Sequence, residues 1–208
     1  MQNRQLSGKT ALVTGSTSGI GLGIAHALAA QGANIVFNGF GEAAAIAELQ
    51  QRTASQFGVK TAYSGADMTK PAEIEKMIKD AIAQFGSIDI LVNNAGILRD
   101  KSFSKMTLDD FRLVVDVHLM GSVYVTKAVW DIMKAQNYGR IIFTTSSSGL
   151  FGNFGQANYG AAKMAVVGLM QTLSLEGEKY NVRVNCLAPT AATRMTEDLM
   201  PPAVLALL

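Results

Sequence analysis

The sequence predicts an α/β protein of three layers (α/β/α), with one doubly wound parallel sheet between two sets of helices. Three observations predict it. Short apolar runs alternate with helix-length stretches from Thr10 to Cys186. Those runs are apolar throughout rather than every second residue, as strands covered on both faces are. A cluster of glycines falls at the first junction from strand to helix.

The elements follow in order. Thr10–Thr14 is a buried first strand, and Ile20–Gln31 a helix stopped by Gly32. Asn34–Phe37 is the second strand, and Ala43–Phe57 a helix with Gly58 near its C-cap. Thr61–Ser64 is a short third strand, and Pro71 suits the first turn of a helix running to Phe85. Ile88–Val92 is the fourth strand and leads into Asn93-Asn94-Ala95-Gly96. Leu108–Lys134 reads as one long helix containing Gly121, and Gly139–Thr144 as the fifth strand. Ala157–Tyr180 is another long helix, and Val182–Cys186 the sixth strand. Right-handed crossovers place a ligand crevice at the carboxyl ends of the strands. No repeat or linker divides residues 1–208, so one domain is expected; the 19 residues after Pro189 are too few for the usual closing helix and last strand.

Composition narrows the class. Hydrophobic residues are 49% and charged residues 16%, which excludes disorder. A net charge of +2 gives no strong field for nucleic acid or acidic lipid. No uninterrupted apolar run approaches the roughly 20 residues of a membrane helix, and Met1–Gly8 has no apolar secretion signal. Cys186 is the lone cysteine, which rules out an internal disulfide and fits a reducing compartment, so a cytoplasmic protein is expected. His26 and His118 lie far apart and no Cys/His cluster exists, so no catalytic metal is expected.

Thr14-Gly15-Ser16-Thr17-Ser18-Gly19-Ile20-Gly21 sits between the first strand and the first helix. Gly15 permits the tight turn, Gly19 lets the backbone approach a pyrophosphate, and Gly21 lets helix and strand pack closely. Free N–H groups at the helix start, around Ser18, Gly19 and Ile20, then receive phosphates. A ligand-free turn is the alternative, disfavoured because the strand–turn–helix context is met. Tyr159-Gly-Ala-Ala-Lys163 carries the chemistry. On a helix the phenol and ammonium share a face, and a nearby cation lowers a phenol pKa towards one useful for proton exchange with an alcohol.

The G-x-x-x-G-x-G turn, Asn93–Gly96 and Tyr159-x-x-x-Lys163 resemble the short-chain dehydrogenase/reductase family over nearly the whole chain. The resemblance implies a single Rossmann-type domain that transfers a hydride between a nicotinamide cofactor and a carbonyl or secondary alcohol. It places Asp67, with Met68, against the adenine, although Asp67 also reads as a cap for the helix that follows. It places Asn94, Ala95 and Gly96 along the cofactor cleft, and Lys163 on the nicotinamide ribose. Ser146, 13 residues before Tyr159, matches the serine that orients the carbonyl oxygen. Ser147 and Ser148 adjoin it, so spacing alone can slip, and Ser148 is expected in the substrate pocket. His118 stands where the family usually has an asparagine that holds a water. The imidazole could hold that water or pass a proton, or be a buried packing residue. Pro189 and Thr193, with Thr196 as fallback, are expected at the nicotinamide carboxamide.

Cofactor choice turns on Asn38-Gly39-Phe40-Gly41, where Asn38 and Phe40 are expected at the adenosine ribose. There is neither an acid nor an arginine there, and Ser18 is uncharged. A 2′-phosphate without a cation is costly, so NAD is expected over NADP. Gly8–Lys60 resembles bacterial 3-hydroxybutyrate dehydrogenases. Ile97–Met200, through Val117-His118-Leu119 and Gly152–Tyr159, is similar to the (3R)-hydroxyacyl-CoA dehydrogenase domain of multifunctional β-oxidation enzymes, a branch in which His118 is typical. The expected substrate is therefore a small-molecule 3-hydroxyacyl thioester or acid. The alternatives are a 3-oxoacyl reductase of fatty-acid synthesis and a non-catalytic dinucleotide-binding sensor or scaffold. Val, Met, Tyr124 and Trp130 on the two long helices exceed one buried stripe, which predicts a homodimer or homotetramer.

Overall fold

The computed structural model describes residues 4–190. Six parallel strands form one sheet in the order β3-β2-β1-β4-β5-β6, from β1 (Thr10–Val13), β2 (Asn34–Asn38), β3 (Thr61–Ser64), β4 (Ile90–Asn93), β5 (Gly139–Thr144) and β6 (Val182–Leu187). The order reverses between β1 and β4, so a crevice opens outside their carboxyl ends. Register is set by apolar triplets: Val13 lies beside Phe37 on one side and Val92 on the other.

Two cores, one on each face, explain why the strands show no alternation. Helices α1 (Gly19–Ala30) and α2 (Ala43–Phe57) cover one face, burying Ala25, Ala29 and Leu49 against Ala11, Val13, Ile35 and Phe37. On the other face α3 (Pro71–Phe85), α5 (Gly121–Gln136) and α7 (Ala157–Gly177) bury Ile74, Met77, Val125, Val129, Met133 and Val166 against Leu12, Leu91, Ile141 and Phe143. Gly58 and Gly86 end α2 and α3 in the left-handed conformation, at φ 62° and 81°.

The long fourth helix is three pieces. Thr107 caps α4 (Leu108–Val115) by accepting a hydrogen bond from the Asp110 N–H, with Asp109 and Asp110 favourably placed in the first turn. Asp116–Met120 then forms a π-helical turn before α5 resumes at Gly121. By length and composition the stretch Leu108–Gln136 could cross a membrane, but Val114, Val125, Val129, Trp130 and Met133 of it are buried in the fold. Trp130 departs from its expected exposure: it is buried in the core under α5, and Tyr124 packs partly against it. A further short helix, α6 (Ser147–Phe151), follows β5 and was not expected from the residue pattern. Between α7 and β6 a 3₁₀ turn spans Glu178–Tyr180.

Candidate active site

The carboxyl ends of β1, β2 and β4 are bolted together around the glycine turn. The Thr14 hydroxyl oxygen accepts from the Asn94 and Ala95 N–H groups at 2.9 and 3.0 Å. Asn94 Nδ2 donates to the carbonyls of Thr14 and Gly15 at 3.0 and 3.1 Å. Ser16 Oγ donates to Val13 O and accepts from Asn38 N. A Cβ on Gly21 would strike the Gly15 carbonyl, and one on Gly15 would lie 2.8 Å from Ala95 Cα. Gly19 is the opposite case: at φ 58° its missing side chain would face open space. Ser18, the N-cap of α1, makes no side-chain capping bond, and no acidic residue occupies the first turn. Exposed backbone N–H groups under an open, uncharged turn fit a dinucleotide pyrophosphate.

Three residues expected on the cofactor commit their side chains to the protein itself. Asn38 is 1% exposed. Its Oδ1 accepts from Gly15 N and its Nδ2 donates to Ser64 O and Ala66 O, so its amide is consumed in bracing the turn. Met68 buries its side chain in the core against Gly121, leaving only backbone for a ligand. Asn94 spends its side-chain donors on the turn. Asp67 accepts from Thr69 N and Oγ1 at 2.9 and 2.8 Å, which holds its carboxyl below the usual range, and its own N–H donates to Glu73. That is a cap at the approach to α3, with the half-exposed Asp67 still bordering the crevice. Phe40 is largely exposed and shares a groove of about 340 Å³ with Thr17, Ser18 and, from α2, Glu48 and Arg52. Sequence reasoning confined to the end of β2 could not foresee Arg52 there. Ala95 and Gly96 are half-buried beside the turn, and Pro189 is half-buried just past β6. Thr193 and Thr196 lie outside the described residues.

The residues expected to react lie just after β5 and in α7. Ser146 follows β5 and caps α6, accepting from Ser148 N at 3.2 Å. Tyr159 and Lys163 lie in the first two turns of α7, with the ammonium 5.6 Å from the phenol ring centroid. Ser147 is exposed, whereas Ser146 is near enough to the phenol to stabilise its charged form. Asn158, fully buried, accepts from Tyr159 N at 2.7 Å and donates to Arg99 O. Gln156 donates to Asp100 at 2.7 Å. Thr145 Oγ1 donates to Lys163 O at 2.7 Å, and a Cβ on Gly149 would press on Lys163 Cβ. None of these supporting residues was singled out from sequence; Asn158, Gln156 and Thr145 each reach a partner distant in the chain.

Electrostatics correct one expectation. The Tyr159 hydroxyl is pushed above the usual phenol range, because burial outweighs the help from Ser146 and Asp100 adds to the rise. Lys163 does not acidify it here: its ammonium donates to the Thr144 carbonyl at 2.5 Å, and burial brings its own pKa to about 8. His118 is held near 3 by burial and by Lys163, so the ring is neutral. A surface hollow of about 600 Å³, lined by Trp130, Lys134, Leu175 and Tyr180, lies at the far end of α7 from Tyr159.

With the phosphate-type cradle and the Tyr159–Lys163 pair at one end of the sheet, the class is that of domains that hold a dinucleotide beside a proton-transfer group. The chain belongs to the short chain dehydrogenase family, whose model matches residues 9–202. It is 44% identical over 204 residues to peroxisomal multifunctional enzyme type 2 of Mus musculus, a match covering 95% of this chain and 27% of that protein. It is 46% identical over 185 residues to D-beta-hydroxybutyrate dehydrogenase of Cupriavidus necator, covering 88% and 70% respectively. A 3-oxoacyl-(acyl-carrier-protein) reductase of Synechocystis sp. is 41% identical over 205 residues, covering 96% and 81%. The chain spans between 23% and 46% of the length of the peroxisomal relatives of this kind.

Proposed function

We propose that the chain is a nicotinamide-dependent oxidoreductase that interconverts a secondary alcohol and a ketone, acting with NAD on a 3-hydroxyacyl substrate. The observation that carries this reading is the half-buried Tyr159 phenol beside Ser146, one helical turn from Lys163, at the strand ends that also carry the glycine turn. Residues around Gly19 would hold the dinucleotide; when bound, its oxidised nicotinamide supplies the acceptor for a hydride. Ser146 holds the substrate oxygen, and Tyr159 accepts its proton during oxidation. In reduction the protonated phenol donates to the carbonyl oxygen, the form that burial favours. Lys163 keeps a positive charge under the site below pH 8.

Support for the substrate class is chemical. The relatives named for β-hydroxybutyrate and for a 3-oxoacyl group place the reacting oxygen on the same acyl carbon. Phe103 and Phe154 are 76% and 90% exposed on the two loops joined by the Lys101 N–H to Gly155 O bond, and Phe151, 86% exposed, ends α6 beside them in the chain. That apolar surface suits an acyl chain. NADH formation should be highest with 3-hydroxyacyl thioesters, lower with free 3-hydroxybutyrate and negligible with simple secondary alcohols. Equal rates across that panel would refute the substrate class, and saturable dinucleotide binding without any turnover would make the protein a sensor or scaffold. Arg52 on the Phe40 groove favours a second reading, an NADPH-dependent 3-oxoacyl reductase; a kcat/KM ratio above one for NADPH over NADH would select it. A reducing, cytoplasmic setting and a homodimer or homotetramer belong to the same proposal, the latter supported by Leu108, Leu113, Met164 and Leu175, exposed on α4 and α7.

A further inference from the structure

His118 is 4% exposed and sits in the π-helical turn between α4 and α5. Its Nε2 lies 3.0 Å from the Ile97 N–H that points to it and 2.8 Å from the Ile97 carbonyl. Its Nδ1 is buried with no partner among the described residues. The ring meets Tyr159 at a centroid distance of 5.1 Å and an interplanar angle of 87°, edge to face. Opposite, Gly96 has no room for a side chain: a Cβ there would overlap His118 Cε1 and lie 3.0 Å from Nδ1. The imidazole is therefore wedged between the segment after β4 and the phenol of α7, and fastened by one backbone residue.

We propose that His118 is a positioning residue that fixes the plane of Tyr159 as an uncharged ring, and that Gly96 is glycine to admit it. A relay through an imidazolium has no support in this setting. Burial and the Lys163 ammonium both oppose a positive charge on the ring, and among the described residues no carboxylate hydrogen-bonds to it. The wider spacing of a π-helical turn changes which residues of α4 and α5 face the sheet, and the residue buried within this one is His118. The inference rests on Tyr159 being the reacting phenol, and its test separates the two ideas.

The test is a double-mutant cycle of Gly96→Ala and His118→Ala, with His118→Gln as a third variant, read by melting temperature, dinucleotide Kd, and kcat and KM across pH 6 to 10. If the imidazole is what forbids a side chain at residue 96, Gly96→Ala is strongly destabilising alone and much less so beside His118→Ala. His118→Gln preserves reach to Ile97 but loses the ring edge, and should lower kcat about three- to tenfold with KM and Kd within twofold. The drop should be parallel at every pH, because no ionisation is removed. Additive melting shifts would overturn the assignment for Gly96. A His118→Gln pH profile of altered shape, or unchanged kcat, would overturn the positioning role. If Tyr159→Phe keeps full turnover, the proposed function fails while the cycle in melting temperature still reports on the wedge.

Discussion

At the scale of single residues, the site pairs two groups whose pKa values burial drives apart, each towards its neutral form. Tyr159 is raised and Lys163 lowered, so near neutrality the free protein holds a protonated phenol close to a partly discharged ammonium. Oxidation needs the phenolate, so its kcat/KM should rise from pH 7 towards 9 or above, while reduction should be flat or fall; a profile of oxidation that declines over that range contradicts the assignment. Lys163 also links stability to pH. Its folded value of about 8 lies below the 10.5 of an exposed lysine, so between those values the unfolded chain binds more protons. The burial penalty is complete below pH 8 and is relieved as pH rises, by at most about 1.4 kcal/mol per pH unit. Cys186 and Tyr159 act in the opposite sense above their own unfolded values, which is why Lys163→Met is the control. Its stability advantage over the wild type, by urea denaturation, should shrink between pH 7 and 9; a constant difference would show that the lysine is not buried as described. Legibility at this scale was partial. Tyr159, Lys163 and Gly19 could be picked out from spacing, Ser146 only together with its neighbours Ser147 and Ser148, and Asn38 could not be oriented. In a strand buried on both faces, alternation does not say which way a terminal asparagine turns, and its amide turned inward to Gly15 and Ala66.

Elements show the same division. Helices α2 and α3 keep the bounds expected for them, with Gly58 ending the one and Pro71 starting the other, because caps and fixed φ angles are local properties. The π-helical turn was invisible, since it comes from fitting His118 between Gly96 and Tyr159 and leaves no period in the sequence. Helix α6, Ser-Ser-Gly-Leu-Phe, has poor helix formers; it exists because Ser146 caps it and Gly149 lets it lie on Lys163. The glycine turn is the element most open to test. Gly21→Ala places a methyl group against the Gly15 carbonyl, and should cost about 1–3 kcal/mol of stability and weaken dinucleotide binding at least tenfold. Wild-type affinity in that variant would mean that the turn does not carry the pyrophosphate.

On the scale of the molecule, the strand order was implicit in the alternation of strands and helices, because short right-handed crossovers leave few arrangements. Oligomeric state was not, and the residues first suspected were partly the wrong ones: Trp130 is core, whereas Leu108, Leu113, Met164 and Leu175 are exposed on α4 and α7. Light scattering at micromolar concentration should give two or four chains, and replacing Leu113 and Met164 with glutamate should shift the population to monomer. A monomeric wild type would leave those side chains as ordinary surface.

The most direct measurement is NADH formation from a 3-hydroxyacyl thioester by the wild type and by Tyr159→Phe, with dinucleotide affinity measured on both. Loss of about 10³-fold in kcat, with affinity changed less than threefold, is the predicted result. A variant that turns over within threefold of the wild type would show that the proton leaves by another route.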